Sequence, residues 1–198
     1  LVAVTRWADD ADMSAVAGRV PPGAVRLPRA DLERLLALRS DLVVVSAYTD
    51  ADFLRLLEKS GLRHHRMRGL DTLAGIRAAI LDLGRAMGTE GAAARIVHRY
   101  DAVLGELAQR LDGASRPRVL YWADPHTAGA GTAIGSLVEA GGGTNVAREM
   151  GLSGIVPLAG ERAFGADPDV FLVTLGSGAS AALRRHPLLS RTRAVREG

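Results

Sequence analysis

The chain has 198 residues, 47% of them apolar and 24% charged, with a formal net charge of +3. That length suits one large domain or two small ones with a real core, and every apolar run is far shorter than the ~20 residues that span a membrane. The absence of cysteine excludes disulfides, thiolate metal sites and a cysteine nucleophile.

The isoelectric point near 9.9 comes almost wholly from arginine, since Lys59 is the only lysine among 25 basic residues. The arginines are spread among 22 acids rather than gathered in a run. That pattern reads as a solvated surface, and no nucleic-acid partner is expected.

The opening LVAVT, residues 1–5, is apolar and β-branched and reads as a strand, with no visible signal peptide before it. A polar, glycine- and proline-rich loop follows over 6–23. Residues 29–40 read as a short helix that starts near Ala30 or Asp31 and has Leu32, Leu35, Leu36 and Leu38 on its apolar side. DLVVVSAY (41–48) is a continuous apolar strand of the buried parallel kind. The next helix spans 49–61, with Thr49 or Asp50 as N-cap and Gly61 just past its end. RHHRM (63–67) reads as a further short strand.

Residues 70–87 repeat Leu70, Leu73, Ile76, Ile80, Leu83 and Met87 at helical spacing, enough for a helix of roughly 27 Å at 1.5 Å per residue. Gly88 breaks the pattern. Thr89 caps a second helix marked by Ile96, Tyr100, Val103, Leu107 and Leu111. The βα order then resumes: strand 118–123, helix 132–142, short helix 161–166, buried strand 169–175 and helical segment 180–189. The reading is an α/β fold with two Rossmann-like lobes of parallel sheet joined by one long helix. The N-terminal lobe covers 1–69, the connecting helix 70–88 and the C-terminal lobe 89–198. A weak internal echo supports two related lobes, because Glu33 and Glu161 each stand near the start of a short helix and precede an Asp-led apolar strand at similar spacing.

The stretch HTAGAGTAIGSLVEAGGGTNVA (126–147) tests for a phosphate loop. A Walker loop needs a lysine, and none follows Lys59. The dinucleotide fingerprint needs G-x-G-x-x-G directly after a strand. Gly129, Gly131 and Gly135 are spaced G-x-G-x-x-x-G, and six residues separate Trp122 from Gly129. Asp124 and His126 are close enough to share a metal but lack an evident third donor. His64 and His65 point to opposite faces of a strand. No catalytic residue and no metal ligand set is assigned. What remains is Trp7, Tyr48 and Trp122, three of the eight aromatics, each just beyond a strand. Ligands of open α/β sheets bind at the carboxyl ends of strands, and these rings suit a large planar or macrocyclic ligand.

The stretch 126–147 resembles the T-A-G-x-G-T…AGG-x-N-x-A segment of the ABC-transporter substrate-binding proteins for cobalamin, haem and iron chelates. ADLERLLALRSDLVVVS resembles their L-E-x-L-L-x-L-x-P-D-L-V segment, with Ser40 where proline is usual. ERAFGADPDVFLVT and HPLLSRTRAVREG resemble later stretches of the same family. The resemblance implies a non-enzymatic, monomeric solute-binding component of an ABC importer, periplasmic or otherwise extracytoplasmic, with or without a lipid anchor. It would need no cofactor of its own and would carry cobalamin, haem or a ferric siderophore in a cleft between lobes. The family's first strand would precede Leu1 and its last strand and helix would follow Gly198, so the chain reads as truncated at both ends. Ligand contacts carry over to Trp7, Tyr48, Trp122, His126, Thr127, Gly129, Gly131, Thr132 and Ile155. Contacts with the permease subunits carry over to Glu33 and Glu161. The alternatives are a free transition-metal binder of an importer and a dinucleotide-dependent enzyme.

Overall fold

In the first half of the chain the helix and strand signals of the sequence become short elements capped by their own side chains. A computed structural model describes residues 1–174 and 178–197. The chain divides into two units, Leu1–Arg68 and Gly69–Gly198.

In the first unit, β1 (Ala3–Thr5) pairs in parallel with β2 (Val25–Leu27), and β3 (Val43–Val45) pairs in parallel with β4 (His64–Arg66). Helix α1 (Leu32–Ala37) begins where Asp31 accepts from the Arg34 N–H. Helix α2 (Ala51–Lys59) begins where Asp50 accepts from the N–H groups of Asp52 and Phe53, and it ends before Gly61 at φ +74°. Leu27, Leu35, Val43, Val45 and Leu57 form the core.

Two expectations need correction here. The sequence showed no strand at 25–27, because three residues after Pro-Pro-Gly are too few to display a period, and only the pairing with β1 defines it. The run 41–48 is not buried on both faces. Val43 and Val45 face the core while Val44 between them is exposed, the alternation of a half-covered strand.

In the second unit, α3 (Leu73–Met87) and α4 (Glu90–Arg110) form an antiparallel pair. Thr72 caps α3 by accepting from Gly75 N–H, and Gly88 at φ +66° ends it. A side-chain carbon on Gly84 would stand 2.3 Å from Ala93 Cβ, so this glycine sets how closely the helices cross. Tyr100 Oη donates to the Leu73 carbonyl at 2.9 Å, and Arg77 grips Asp101 through Nε and Nη2. The expected Thr89 cap makes no side-chain bond.

A parallel sheet then places β5 (Arg118–Tyr121) between β7 (Thr144–Asn145) and β9 (Val170–Leu172). A separate antiparallel ribbon joins β6 (His126–Ala128) to β8 (Ile155–Pro157). The remaining helices are α5 (Ala133–Ala140), α6 (Val146–Glu149), α7 (Gly160–Ala166), α8 (Ala179–Arg185) and α9 (Arg193–Arg196), with a 3-10 turn at Leu189–Arg191. Leu120, Trp122, Val146, Ala147, Leu158, Ala163, Leu183 and Leu189 form the core. Leu175 of the expected strand 169–175 lies outside the described residues.

The hydrogen bond from Arg77 holds the Asp101 carboxyl below the usual carboxylate range, with the charges of Arg77 and His98 adding to it. A depressed folded value makes the contribution complete above the unfolded value of about 3.9 and erases it as pH falls through the lower folded value. Both groups are well exposed, so the contribution is small. Urea unfolding of the chain is therefore expected to lose more stability between pH 5 and pH 3 than unfolding of Asp101→Asn, and equal losses would remove the pair from the account.

Candidate functional site

The stretch 126–147 folds into one interlocked hydrogen-bonded unit at the carboxyl end of β5. Thr127 Oγ1 donates to the Tyr121 carbonyl at 2.7 Å and ties the ribbon to the sheet. The ribbon register sets His126 against Pro157, Thr127 against Val156 and Ala128 against Ile155. Gly129 follows, and its backbone lies against the segment before β8: a Cβ there would be 2.2 Å from the Leu152 carbonyl oxygen. Gly129 N–H donates to the Gly154 carbonyl and Ala130 N–H to that of Leu152.

Thr132 then starts α5. Its hydroxyl donates back to the Gly129 carbonyl at 2.8 Å and accepts from Gly135 N–H at 2.9 Å. Asn145, at the far end of the stretch, donates from Nδ2 to the Ala128 carbonyl and accepts at Oδ1 from Arg148 N–H. Gly135 is confined between these two anchors, since a Cβ would stand 2.7 Å from both Asn145 Nδ2 and the Gly129 oxygen. The glycines thus serve close backbone packing. The first turn of α5 already spends Gly135 N–H on Thr132, as a side-chain N-cap does.

Four of the expected ligand residues are corrected by this arrangement. Trp122 is 2% exposed and stacks edge-on to His186 in the core, because the side chain at the end of β5 points inward. Thr127 is 0% exposed, Gly129 is buried and Thr132 caps a helix. They hold the site without presenting a surface to a ligand.

His126 and Ile155 are exposed, Ile155 at 56%. In an antiparallel ribbon, directly opposed residues and those two along share a face. His126, Pro157 and Ile155 therefore line one face of this ribbon, an imidazole beside apolar surface. Gly131, exposed at φ +70°, turns the chain beside it. Asp124 and His126 bracket a tight turn closed by hydrogen bonds between the backbones of Ala123 and His126. Among the described residues no three His, Asp or Glu side chains converge on one point.

In the first unit, Trp7 is half exposed on a 3-10 turn (Arg6–Asp9) directly after β1. The Arg6 guanidinium lies 4.3 Å over its ring. The turn is pinned to β2 by Arg26, which donates to both Asp9 oxygens at 2.8 and 3.0 Å. That hydrogen bond holds the Asp9 carboxyl below its usual range. Tyr48 is 81% exposed in the turn after β3, where its N–H donates to Ser46 Oγ. Glu33 and Glu161 are exposed in the first turns of α1 and α7.

Sequence reasoning missed β6, β8 and Asn145. The Thr-Asn pair after the glycines was a signal for Asn145, but three-residue strands carry too little pattern to register, and SGIVPL is continuously apolar from Ile155 to Leu158.

Comparisons with known proteins agree with this architecture. The sequence profile described as "Periplasmic binding protein" matches residues 4–198. A protein named cobalamin-binding protein from Halobacterium salinarum is 27% identical over 179 residues, covering 86% of this chain and 48% of the relative. The chain thus spans about half the length of the curated relatives it matches. The solved structure of the periplasmic heme-binding protein BhuT in complex with two hemes superposes with a TM-score of 0.78 at 27% identity, covering 99% of this chain and 76% of that one. A periplasmic heme-binding protein from Pseudomonas aeruginosa shares the fold, with a TM-score of 0.76 at 24% identity over 100% of this chain and 74% of that one.

The two loop glycines carry different constraints. Gly129→Ala drives a carbon into backbone and is expected to cost roughly 1–3 kcal/mol or more through overpacking. Gly131→Ala meets no atom within 4 Å and strains only its left-handed φ, worth about 1–2 kcal/mol. Denaturant titration of both variants checks the order, and Gly131→Ala as the more damaging change would contradict it.

Proposed function

Because the chain belongs to the periplasmic binding protein family, we infer that it is the solute-binding component of an ABC importer, that it is not an enzyme, and that its cargo is a metal chelate: cobalamin, haem or a ferric siderophore. It acts outside the cytoplasm and delivers the chelate to the permease subunits of the membrane. The observation that carries this reading is the division of labour in the stretch 126–147. Buried threonines, glycines and an asparagine fix the backbone, while His126, Ile155 and Pro157 are exposed on the ribbon and Trp7 and Tyr48 beyond strands of the first unit.

A chelate brings its metal already ligated, so it calls for apolar and aromatic area with a few polar points rather than a full donor set. Ile155, Pro157 and His126 offer this on the second unit, and Trp7 and Tyr48 offer it on the first. The names of the curated relative and of the haem complex, each 27% identical to this chain, support the same class of cargo. Glu33 and Glu161 are exposed acids at helix starts, free to meet basic groups of a permease and to set docking register by charge complementarity.

Titration against cyanocobalamin, haemin and a set of ferric siderophores, followed by protein fluorescence corrected for ligand absorption, tests the reading. One of them is expected to saturate. Ile155→Asp and Tyr48→Ala are each expected to weaken that ligand by about tenfold, the loss of roughly 1.4 kcal/mol of contact. Glu33→Ala and Glu161→Ala should leave binding intact and lower uptake in a transport assay. A folded chain that saturates with none of these chelates would overturn the assignment.

A further inference from the structure

No run of basic residues is visible in the sequence, yet the positive charge is unevenly shared. The chain's 25 basic and 22 acidic side chains divide as five against one in residues 179–198 and 20 against 21 before them. The whole excess charge of +3 therefore belongs to this one segment, which carries +4 while the rest carries −1. The fold gathers it. Helices α8 and α9 each pack on the 3-10 turn between them. Leu183, Leu189 and Thr192 are buried, and Thr192 Oγ1 donates to the Leu189 carbonyl at 2.6 Å. Arg184, Arg185, Arg191, Arg193 and Arg196 are all exposed. Arg193 pairs with Asp169, and the other four form no ion pair among the described residues. Unpaired like charges held on one small surface repel one another, and a multivalent anion relieves that repulsion.

A groove of about 600 Å³ runs beside these arginines, along the edge strand β9. Phe171, Val173, Leu183 and Val195 give it apolar lining, and Arg184 and Arg193 reach it from α8 and α9. Its acids are Asp169, already paired, and Glu197. Guanidinium beside apolar surface matches the headgroup of an acidic phospholipid, where phosphate adjoins hydrocarbon. The guanidinium fork takes phosphate oxygens two at a time. A small inorganic anion would make no use of the apolar lining. We propose that the α8–α9 face docks on an anionic phospholipid surface, with Arg184, Arg185, Arg191 and Arg196 on the lipid phosphates and the groove beside β9 against the glycerol region. That this surface is the membrane holding a permease rests on the reading above; the affinity for acidic lipid does not. Helix α7, which carries Glu161, packs on the same 3-10 turn, so lipid contact would keep the docking acid close to the membrane.

The test is co-sedimentation of the chain with vesicles of phosphatidylcholine alone and of phosphatidylcholine with about one-third phosphatidylglycerol. Binding is expected only to the acidic vesicles, and it should fall about tenfold between about 0.05 M and about 0.5 M salt as screening shortens the reach of the charges. The fourfold variant Arg184→Gln, Arg185→Gln, Arg191→Gln, Arg196→Gln is expected to lose this binding. A control with the same charge removed elsewhere, Arg29→Gln, Arg68→Gln, Arg95→Gln, Arg99→Gln, is expected to keep most of it. No binding by the chain, equal binding to neutral vesicles, or equal loss in the control overturns the proposal. Lowered uptake by the fourfold variant with no vesicle binding by the chain would assign the arginines to an acidic protein partner and overturn it as well. The salt dependence of the unmodified chain needs no variant to fold. Failure of the chelate reading shows separately, in the titration above, which uses no vesicles and which the fourfold variant should leave unchanged.

Discussion

Close approach between the backbone at Gly129 and the carbonyl of Leu152 is the constraint from which the ribbon and the start of α5 in the second unit follow. With no side chain at 129, the strand His126–Ala128 can pair with Ile155–Pro157, and the loop can reach Thr132 in time to start α5. Asn145 then closes the arrangement from the other side through the Ala128 carbonyl. Each of these contacts satisfies a backbone group that would otherwise be buried unpaired, which is why the polar residues among them are inside.

This arrangement separates buried support from exposed side chains. Thr127, Thr132 and Asn145 spend their polar atoms on backbone, so little of their chemistry is left for a ligand. The side chains of His126 and Ile155 are exposed, while their backbones belong to the ribbon. The first unit follows the same plan by another means. There a bidentate ion pair, Asp9 with Arg26, holds the turn, and the aromatic ring of Trp7 is left exposed upon it.

The helices were legible because they are long or well capped. Apolar residues at 3.6-residue spacing from Leu73 to Met87 place α3, and Asp31 and Asp50 mark helix starts by an oxygen that accepts from the first turn. Short strands escaped for the opposite reason. Val25–Leu27, His126–Ala128 and Ile155–Pro157 are each three residues long, and pairing with a distant partner, not local pattern, makes them strands.

The sequence by itself determined the α/β order, the longer helices and the family, since periodicity and motif order are local properties of the chain. Tertiary structure alone decided which side of each residue faces inward. It turned Trp122 from a candidate ligand platform into core, made Thr127 and Thr132 struts, and brought His186 against Gly160 across 26 residues of chain. Burial and close approach depend on partners far away in sequence, and no local pattern encodes them.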